Sequence, residues 1–433
     1  MANYGLDSVE DLKNNEALME SHRYTVLKYW PNGRAKLTAL TAIMKDRGSF
    51  GSWEHGWWVE GLAMQQGAVT GVYTDSALSN AYTTGGVTGD RLFIKMASVT
   101  AQEFRAGHTG MINVSTSAAY QMNVYVTSAP VIDGVNSYLP VSLLMDDAAV
   151  GGKDLSDADY IRVIGSAHSH GAPAPRSITY HPTRHTNYPE IFRTSLRLTS
   201  NMLNSDTKYG EKEYQRQKKQ KLELHSVELE KSFLFGNKYD TTDPETGQPL
   251  QYMNGMWPFA KAYAPADHIR DFLVDCPTGI WLDDGLGWFN DCLKTTFDYG
   301  NPERMAFNGG GAAQGIDMLA LTYGNLNLTP NDKLFGLQLT EYKTTHGILA
   351  FSTHPLFKGP VLDNAILIFY PGNVGWKPYN NLDTHFRASP PKKSNEGESG
   401  IDGILEEWYS QGTLELGIPM EYMILLNVGV DAP

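Results

Sequence analysis

The chain has 433 residues, 41% of them hydrophobic and 11% aromatic, enough for a real core in two or three domains or one elongated subunit, and too apolar for wholesale disorder. A formal charge of −13 repels phosphate and argues against a dedicated nucleic-acid reader. Two cysteines, Cys276 and Cys292, build neither a disulfide framework nor a zinc pattern and point to a reducing compartment.

The start of the chain, Met1 to Gly5, lacks the basic-then-apolar layout of a signal peptide. Residues 1–49 are polar without a strong period and are expected to form an arm. Gly51 to Trp58 then gathers Trp53, Trp57 and Trp58 among glycines, a cluster that serves either as core or as interface anchor. From Val87 to Gly165 the pattern is β. Leu92, Ile94 and Met96 alternate, as do Met122, Val124 and Val126, and Tyr160 to Ile164 adds a short run, so a small barrel or sandwich is expected inside residues 50–175. Ala106 to Ile132 carries no Asp, Glu, Lys or Arg. Its Ser, Thr, Asn and Gly content would be costly in lipid, and it is expected to be β-structure with no membrane contact.

Past the proline-bearing stretch from Ala167 to Pro182 the pattern changes. Phe192, Thr194, Leu196 and Leu198 share one face of a strand, with Arg193, Ser195 and Arg197 opposite. Ser205-Asp206 supplies a helix cap, and no proline follows until after Phe235. Leu222, Ser226, Leu229 and Phe233 form the apolar stripe of that helix and Gly236 closes it, giving a rod of roughly 45 Å. A second helix is predicted over Asp283 to Tyr299, stopped by Gly300. A short one follows Asn308 to Gly311, a hairpin turns at His346-Gly347, and strands lie in Val361 to Tyr370 and Thr413 to Asn427. Pro390 to Gly400 is charged and Gly- and Ser-bearing, and is expected to be a mobile loop.

The search for chemistry begins with His168, His170, His181 and His185, because neutral imidazole is a common metal ligand. The nearest acids, Asp159 and Glu190, are not at a metal-site spacing, and solvated loop histidines explain the group. Asn308-Gly309-Gly310-Gly311 lacks the Lys-Ser/Thr ending of a phosphate loop. Asp283-Asp284 diverge on any regular element and fit helix capping. The basic run Arg216, Lys218, Lys219 and Lys221 spreads around its helix without interleaved aromatics. No catalytic, cofactor or metal site emerges.

The order of parts resembles the Hong Kong 97-type fold of tailed-phage capsids, an α+β fold, and within it the podovirus- and siphovirus-type major head proteins. The residues carrying the likeness are Asn187 to Arg193 leading into Thr199-Ser200, Glu230 to Gly236, Gly255 to Pro258, Phe335-Gly336 and Thr413 to Pro419. Pro189 departs from the polar residue usual at its position. The resemblance implies an N-terminal arm (1–49), an extended loop with an inserted small β domain (50–175), and a peripheral domain with a spine helix at about 205–235 (176–257). An axial domain (258–375) and closing strands that return to the peripheral domain (376–433) complete it. It further implies no cleaved scaffolding segment and self-assembly into the hexamers and pentamers of an icosahedral virion capsid. Assembly would take place in the host cytoplasm. Partners would be copies of itself, a portal and scaffolding or decoration proteins, around DNA enclosed without sequence-specific binding. No enzyme activity or cofactor is implied. Trp53, Trp57, Trp58, Tyr214, Leu222, Leu229 and Phe233 are the candidate subunit-interface residues. Two alternatives stand beside this reading: a metal-dependent or carbohydrate-active hydrolase, and a cellular compartment shell of the same fold.

Overall fold

A computed structural model of the chain describes residues 48–61, 64–205, 213–323, 328–334, 337–380, 382–388 and 403–432. The expected arm (1–49) lies almost wholly outside the described residues, as do Phe335-Gly336 and the whole of the expected mobile loop at 390–400. The described chain divides into two compact units, one of residues 60–183 and one of the remainder.

The chain enters on β1 (His55–Val59), builds the smaller unit, and returns on β8 (Thr183–Asn187), which pairs with β1. The smaller unit is a closed barrel of six strands: β2 (Gln66–Tyr73), β3 (Arg91–Met96), β4 (His108–Val114), β5 (Ser117–Val126), β6 (Tyr138–Leu143) and β7 (Tyr160–Ser166), in the order β2-β3-β6-β5-β4-β7. Alternation explains its filling. Leu92, Ile94 and Met96, Ile112 and Val114, and Met122, Val124 and Val126 all point inward and are buried together, leaving the intervening residues outside. Closure also removes the edge strands that would otherwise invite misassembly. The uncharged stretch 106–132 is thus β4, β5 and their connections. The loop after β6 is tied down by Asp147, buried at 8% exposure. Its carboxylate accepts from the hydroxyls of Tyr82 and Tyr120, each at 2.6 Å, and from the Leu155 amide at 3.3 Å. Burial, followed by these bonds to Asp147, pushes both tyrosine hydroxyls well above their ordinary range.

In the larger unit, β9 (Glu190–Thr199) buries Phe192, Thr194, Leu196 and Leu198 and exposes the residues between, as the sequence pattern predicts. It pairs antiparallel along ten residues of β20 (Gly403–Glu415), which also carries β18 (Gly375–Pro378) and β19 (His385–Arg387). The cap expected at Ser205-Asp206 involves residues outside the described ones. A short helix, Ser200–Asn204, ends there, and the Ser205 hydroxyl donates to the Asn201 carbonyl. The long helix itself, termed αS, is described from Glu213 to Phe235, about 34 Å at 1.5 Å per residue, and 206–212 lie outside the described residues. Its end differs from a left-handed cap. Gly236 is required because a Cβ there would lie 2.6 Å from the Ser232 carbonyl and 2.7 Å from that of Met253, where the Gly255 amide donates back to the Gly236 carbonyl at 2.6 Å.

A hairpin of β10 (Tyr239–Thr242) and β11 (Pro249–Tyr252) follows, then a helix, Met256–Tyr263. A seven-stranded mixed sheet completes the unit, made of β12 (Ile269–Asp271), β21 (Met423–Leu426), β17 (Ile366–Phe369), β13 (Glu303–Asn308), β16 (Ile348–Thr353), β15 (Leu337–Lys343) and β14 (Leu328–Leu334), in that order across the sheet. Both faces are covered, which is why its central strands are continuous apolar runs. Ile366, Ile368, Met423 and Leu425 face a core with the helix Trp281–Phe297 and the helix Gly310–Tyr323. Leu367, Phe369, Ile424, Met305 and Phe307 face the opposite core, shared with Leu229, Phe233 and Leu234 of αS. The predicted strand over 361–370 is shorter, since Asp363 and Ala365 turn back on Gly359 and Leu362 before β17 begins. The helix predicted from Asp283 starts two residues earlier, and Gly300, at φ +76°, supplies its stop.

Candidate assembly surfaces

The four histidines are not gathered. His168, His170 and His181 are exposed, whereas His185 sits on β8 in an aromatic cluster, with ring centroids 5.0 Å from Tyr263, 5.7 Å from Phe259 and 6.1 Å from Trp57. Burial there pulls its pKa below the ordinary value. No group of three or more His, Cys, Asp or Glu side chains that could hold a metal occurs among the described residues. The glycine turn after Asn308 is filled from within the chain. The Gly310 amide donates to the Asp363 carboxylate at 3.2 Å, and a Cβ on Gly309 would lie 2.2 Å from the Asp363 carbonyl. Asp284 accepts from the Ile280 amide at 3.2 Å and caps its own helix. Arg216 pairs with Glu213, and Lys218 lies 3.7 Å over the Phe386 ring. No helix among the described residues is long and apolar enough to cross a membrane.

The interface candidates separate by geometry. Trp57 and Trp58 are adjacent on β1 and so point to opposite faces. Trp57 is buried and its indole donates to the Gly417 carbonyl at 2.8 Å, while Trp58 is 65% exposed. Leu229 and Phe233 are buried in the subunit's own core. Trp57, Leu229 and Phe233 are therefore corrected from interface to core, because no neighbour can reach them. Tyr214 and Leu222 are half-buried, and Tyr214 hydrogen-bonds Glu406, which together with burial raises its pKa. Trp53, 53% exposed, forms one wall of an open groove of about 390 Å³ with Ile191, Leu250, Tyr252 and Tyr379. Exposed apolar residues gathered along one groove are the kind of surface that another subunit covers.

What the stripe of αS did not reveal is its buried polar side. Glu230 and His354 are both fully buried and meet at 2.8 Å, joining αS to the turn after β16. His225 lies between Thr194 of β9 at 3.0 Å and Ser410 of β20 at 2.7 Å. The Thr194 hydroxyl has one hydrogen and donates it to Glu228, so it accepts from His225 Nδ1–H. The Ser410 hydroxyl then donates to Nε2 and accepts from Thr384 at 2.8 Å. This order requires a neutral imidazole, and burial lowers the pKa of His225 against a smaller raising effect of Glu228. The sequence signal for both groups is a His and a Glu placed within a turn of the apolar stripe positions Leu229 and Phe233.

A pH dependence follows. The unfolded chain binds a proton on this histidine at a higher pH than the folded chain does. The contribution of His225 is therefore complete above its ordinary value of 6.5 and is lost as pH falls through the lower folded-state pKa. Urea midpoints of the unassembled subunit from pH 8 to about 5 are expected to fall more steeply for the natural chain than for His225→Gln. Parallel profiles would contradict this account.

The described residues thus form two units with separate buried cores, a helix buttressed by buried polar contacts, and apolar residues exposed along one groove. The chain belongs to the SU10 major capsid protein family, whose model matches residues 32–429. It is thus a structural protein of the virion capsid of a tailed phage, and the hydrolase and cellular-compartment alternatives are set aside by that membership. It is 24% identical over 348 residues to the major capsid protein of Pseudomonas phage PaMx41, covering 80% of this chain and 75% of that protein. Among solved structures, a chain of Mycobacterium phage Bobi is similar with a TM-score of 0.44 at 10% identity, covering 97% of this chain and 98% of that one. One from Microbacterium phage Oxtober96 has a TM-score of 0.42 at 11% identity, with the same coverage.

Proposed function

We propose that this capsid protein assembles with copies of itself into pentamers and hexamers that close an icosahedral head of the Hong Kong 97 type. The observation that carries this reading is the family match across residues 32–429. Within it αS serves as the spine of a peripheral domain (176–257), residues 258–375 as an axial domain and 376–433 as its closing strands. Residues 50–175 act as an extended loop bearing the barrel, and 1–49 as an arm. Portal, scaffolding or decoration proteins would dock on the finished lattice, and double-stranded DNA would be enclosed without sequence-specific contacts, in keeping with the formal charge of −13. Trp53, Trp58 and the groove beside Ile191 and Tyr252 are the surfaces of the larger unit that neighbours cover, with Tyr214 and Leu222 at the margin. Many modest contacts repeated by symmetry hold such a shell once it closes.

The test is to express the chain and examine it by sedimentation velocity and negative-stain microscopy. Closed particles or rings of five and six copies are expected. A monomer persisting at high concentration with a candidate scaffolding partner supplied would overturn the reading.

A further inference from the structure

We infer that the proline segment 172–175 of one copy docks in the aromatic groove of another, as a polyproline helix laid against Trp53, Tyr252 and Tyr379. The inference rests on the reading of this chain as a shell subunit and names what covers that groove.

The segment is shaped by covalent geometry. It reads Ala172-Pro173-Ala174-Pro175. Each proline ring holds φ at about −65°, and each alanine, standing before a proline, is kept out of the helical region. The stretch is thereby held in the polyproline conformation, which has no internal hydrogen bonds and leaves its carbonyls free to accept. Among the described residues no helix or strand lies between Ser166 and Thr183, and every residue from 171 to 177 is exposed. Downstream the segment is anchored within the barrel unit, where Arg105 donates to the Arg176 carbonyl at 3.4 Å. A stretch already ordered loses little entropy when another surface closes over it.

The groove has the matching chemistry. Trp53, Tyr252 and Tyr379 line its volume of about 390 Å³, with Gln248 beside them. Grooves lined by aromatic side chains are where polyproline segments bind. Proline rings lie on the flat faces, while indole N–H, phenol and amide groups donate to the free carbonyls. Trp53 is 53% exposed and Tyr252 41%, so this wall is as uncovered in the single copy as the segment is.

Charge agrees. From Tyr160 to Pro189 the chain has no Asp or Glu, and Arg176 directly follows Pro175. The hairpin that forms one wall of the groove is the reverse. Residues 239–252 hold Asp240, Asp243 and Glu245 and no Lys or Arg, and Glu190 lines the groove itself. The nearest cations are engaged: Glu54 meets Lys238 at 2.9 Å and Arg184 at 3.5 Å, and Glu407 meets Arg193 at 2.7 Å. An acid-free proline segment followed by an arginine suits a groove with an acidic rim. One chain offers both surfaces, and the contact is heterologous, so its repetition about an axis closes a ring.

The test tells one copy from two. Ala174→Cys and Gln248→Cys, both at exposed residues, are placed on separate chains, and the two singly substituted proteins are assembled together. A short bis-maleimide is expected to link them into a heterodimer, absent from particles of either single variant or of the parental chain. Mixed particles of normal form that yield no link would overturn the contact, and so would a double variant that links only within one chain. Absence of particles from the parental chain would remove the shell reading and this contact with it. A second arm uses the parental chain alone. A synthetic peptide of residues 170–178 in large excess should slow its assembly about tenfold, and the same peptide carrying Pro173→Ala and Pro175→Ala should slow it far less. No slowing, or equal slowing by the two peptides, would overturn the proposal.

Discussion

Replacing His354 by alanine is expected to destabilise the larger unit by about 3 kcal/mol, because it removes the ring that donates to the buried Glu230 carboxylate. Both side chains are fully buried and meet at 2.8 Å between αS and the turn after β16. The turn depends on the same ring from its other side, where the Leu356 amide donates to His354 Nδ1 at 3.2 Å. Phe307 and Phe357 pack on the imidazole with centroids at 5.0 and 5.8 Å, so nothing mobile can restore the solvation that is lost. The pair itself need not be strongly favourable. Glu230→Leu combined with His354→Leu should recover most of the loss, since replacing both partners of a buried hydrogen bond by apolar side chains of similar volume is often nearly neutral. Urea midpoints of the four proteins in a double-mutant cycle check this. Additive losses in the double variant would show that the two residues act independently.

Leu229→Asp is expected to prevent accumulation of folded subunit, at a cost of roughly 4 kcal/mol or more. Leu229 is 6% exposed and belongs to the core beneath the seven-stranded sheet. A carboxylate there would be packed among apolar side chains. Leu229→Met keeps volume and apolarity and should be tolerated within about 1.5 kcal/mol. Soluble yield and far-ultraviolet circular dichroism separate the outcomes. A well-folded Leu229→Asp subunit that fails only in assembly would return this position to an interface.

That reversal illustrates which features were legible in the chain. Period two was decisive wherever one face of a strand is buried, as in β9 and the barrel strands, because the inward residues are mostly apolar, Thr194 excepted, and the outward ones mostly polar, Ile191 excepted. The same rule, applied to β1, would have separated Trp57 from Trp58, but the surrounding glycines masked the strand. The αS stripe identified Leu229 and Phe233 as apolar and could not say whether the surface covering them was the chain's own. Only the sheet returning from 303–426 supplies that answer. His225, Glu230 and His354 were illegible for a related reason. Their partners lie 31 to 185 residues away in sequence, and a local pattern assigns a histidine or glutamate on a helix to solvent.

The most direct measurement of the central claim is a cryo-electron microscopy reconstruction of the particles this chain forms. The account predicts rings of five and six subunits, with Trp53 and Trp58 covered by another copy and Trp57, Leu229 and Phe233 enclosed within one copy. Particles in which Trp53 and Trp58 face solvent, while neighbouring copies meet through some other surface of the larger unit, would contradict it.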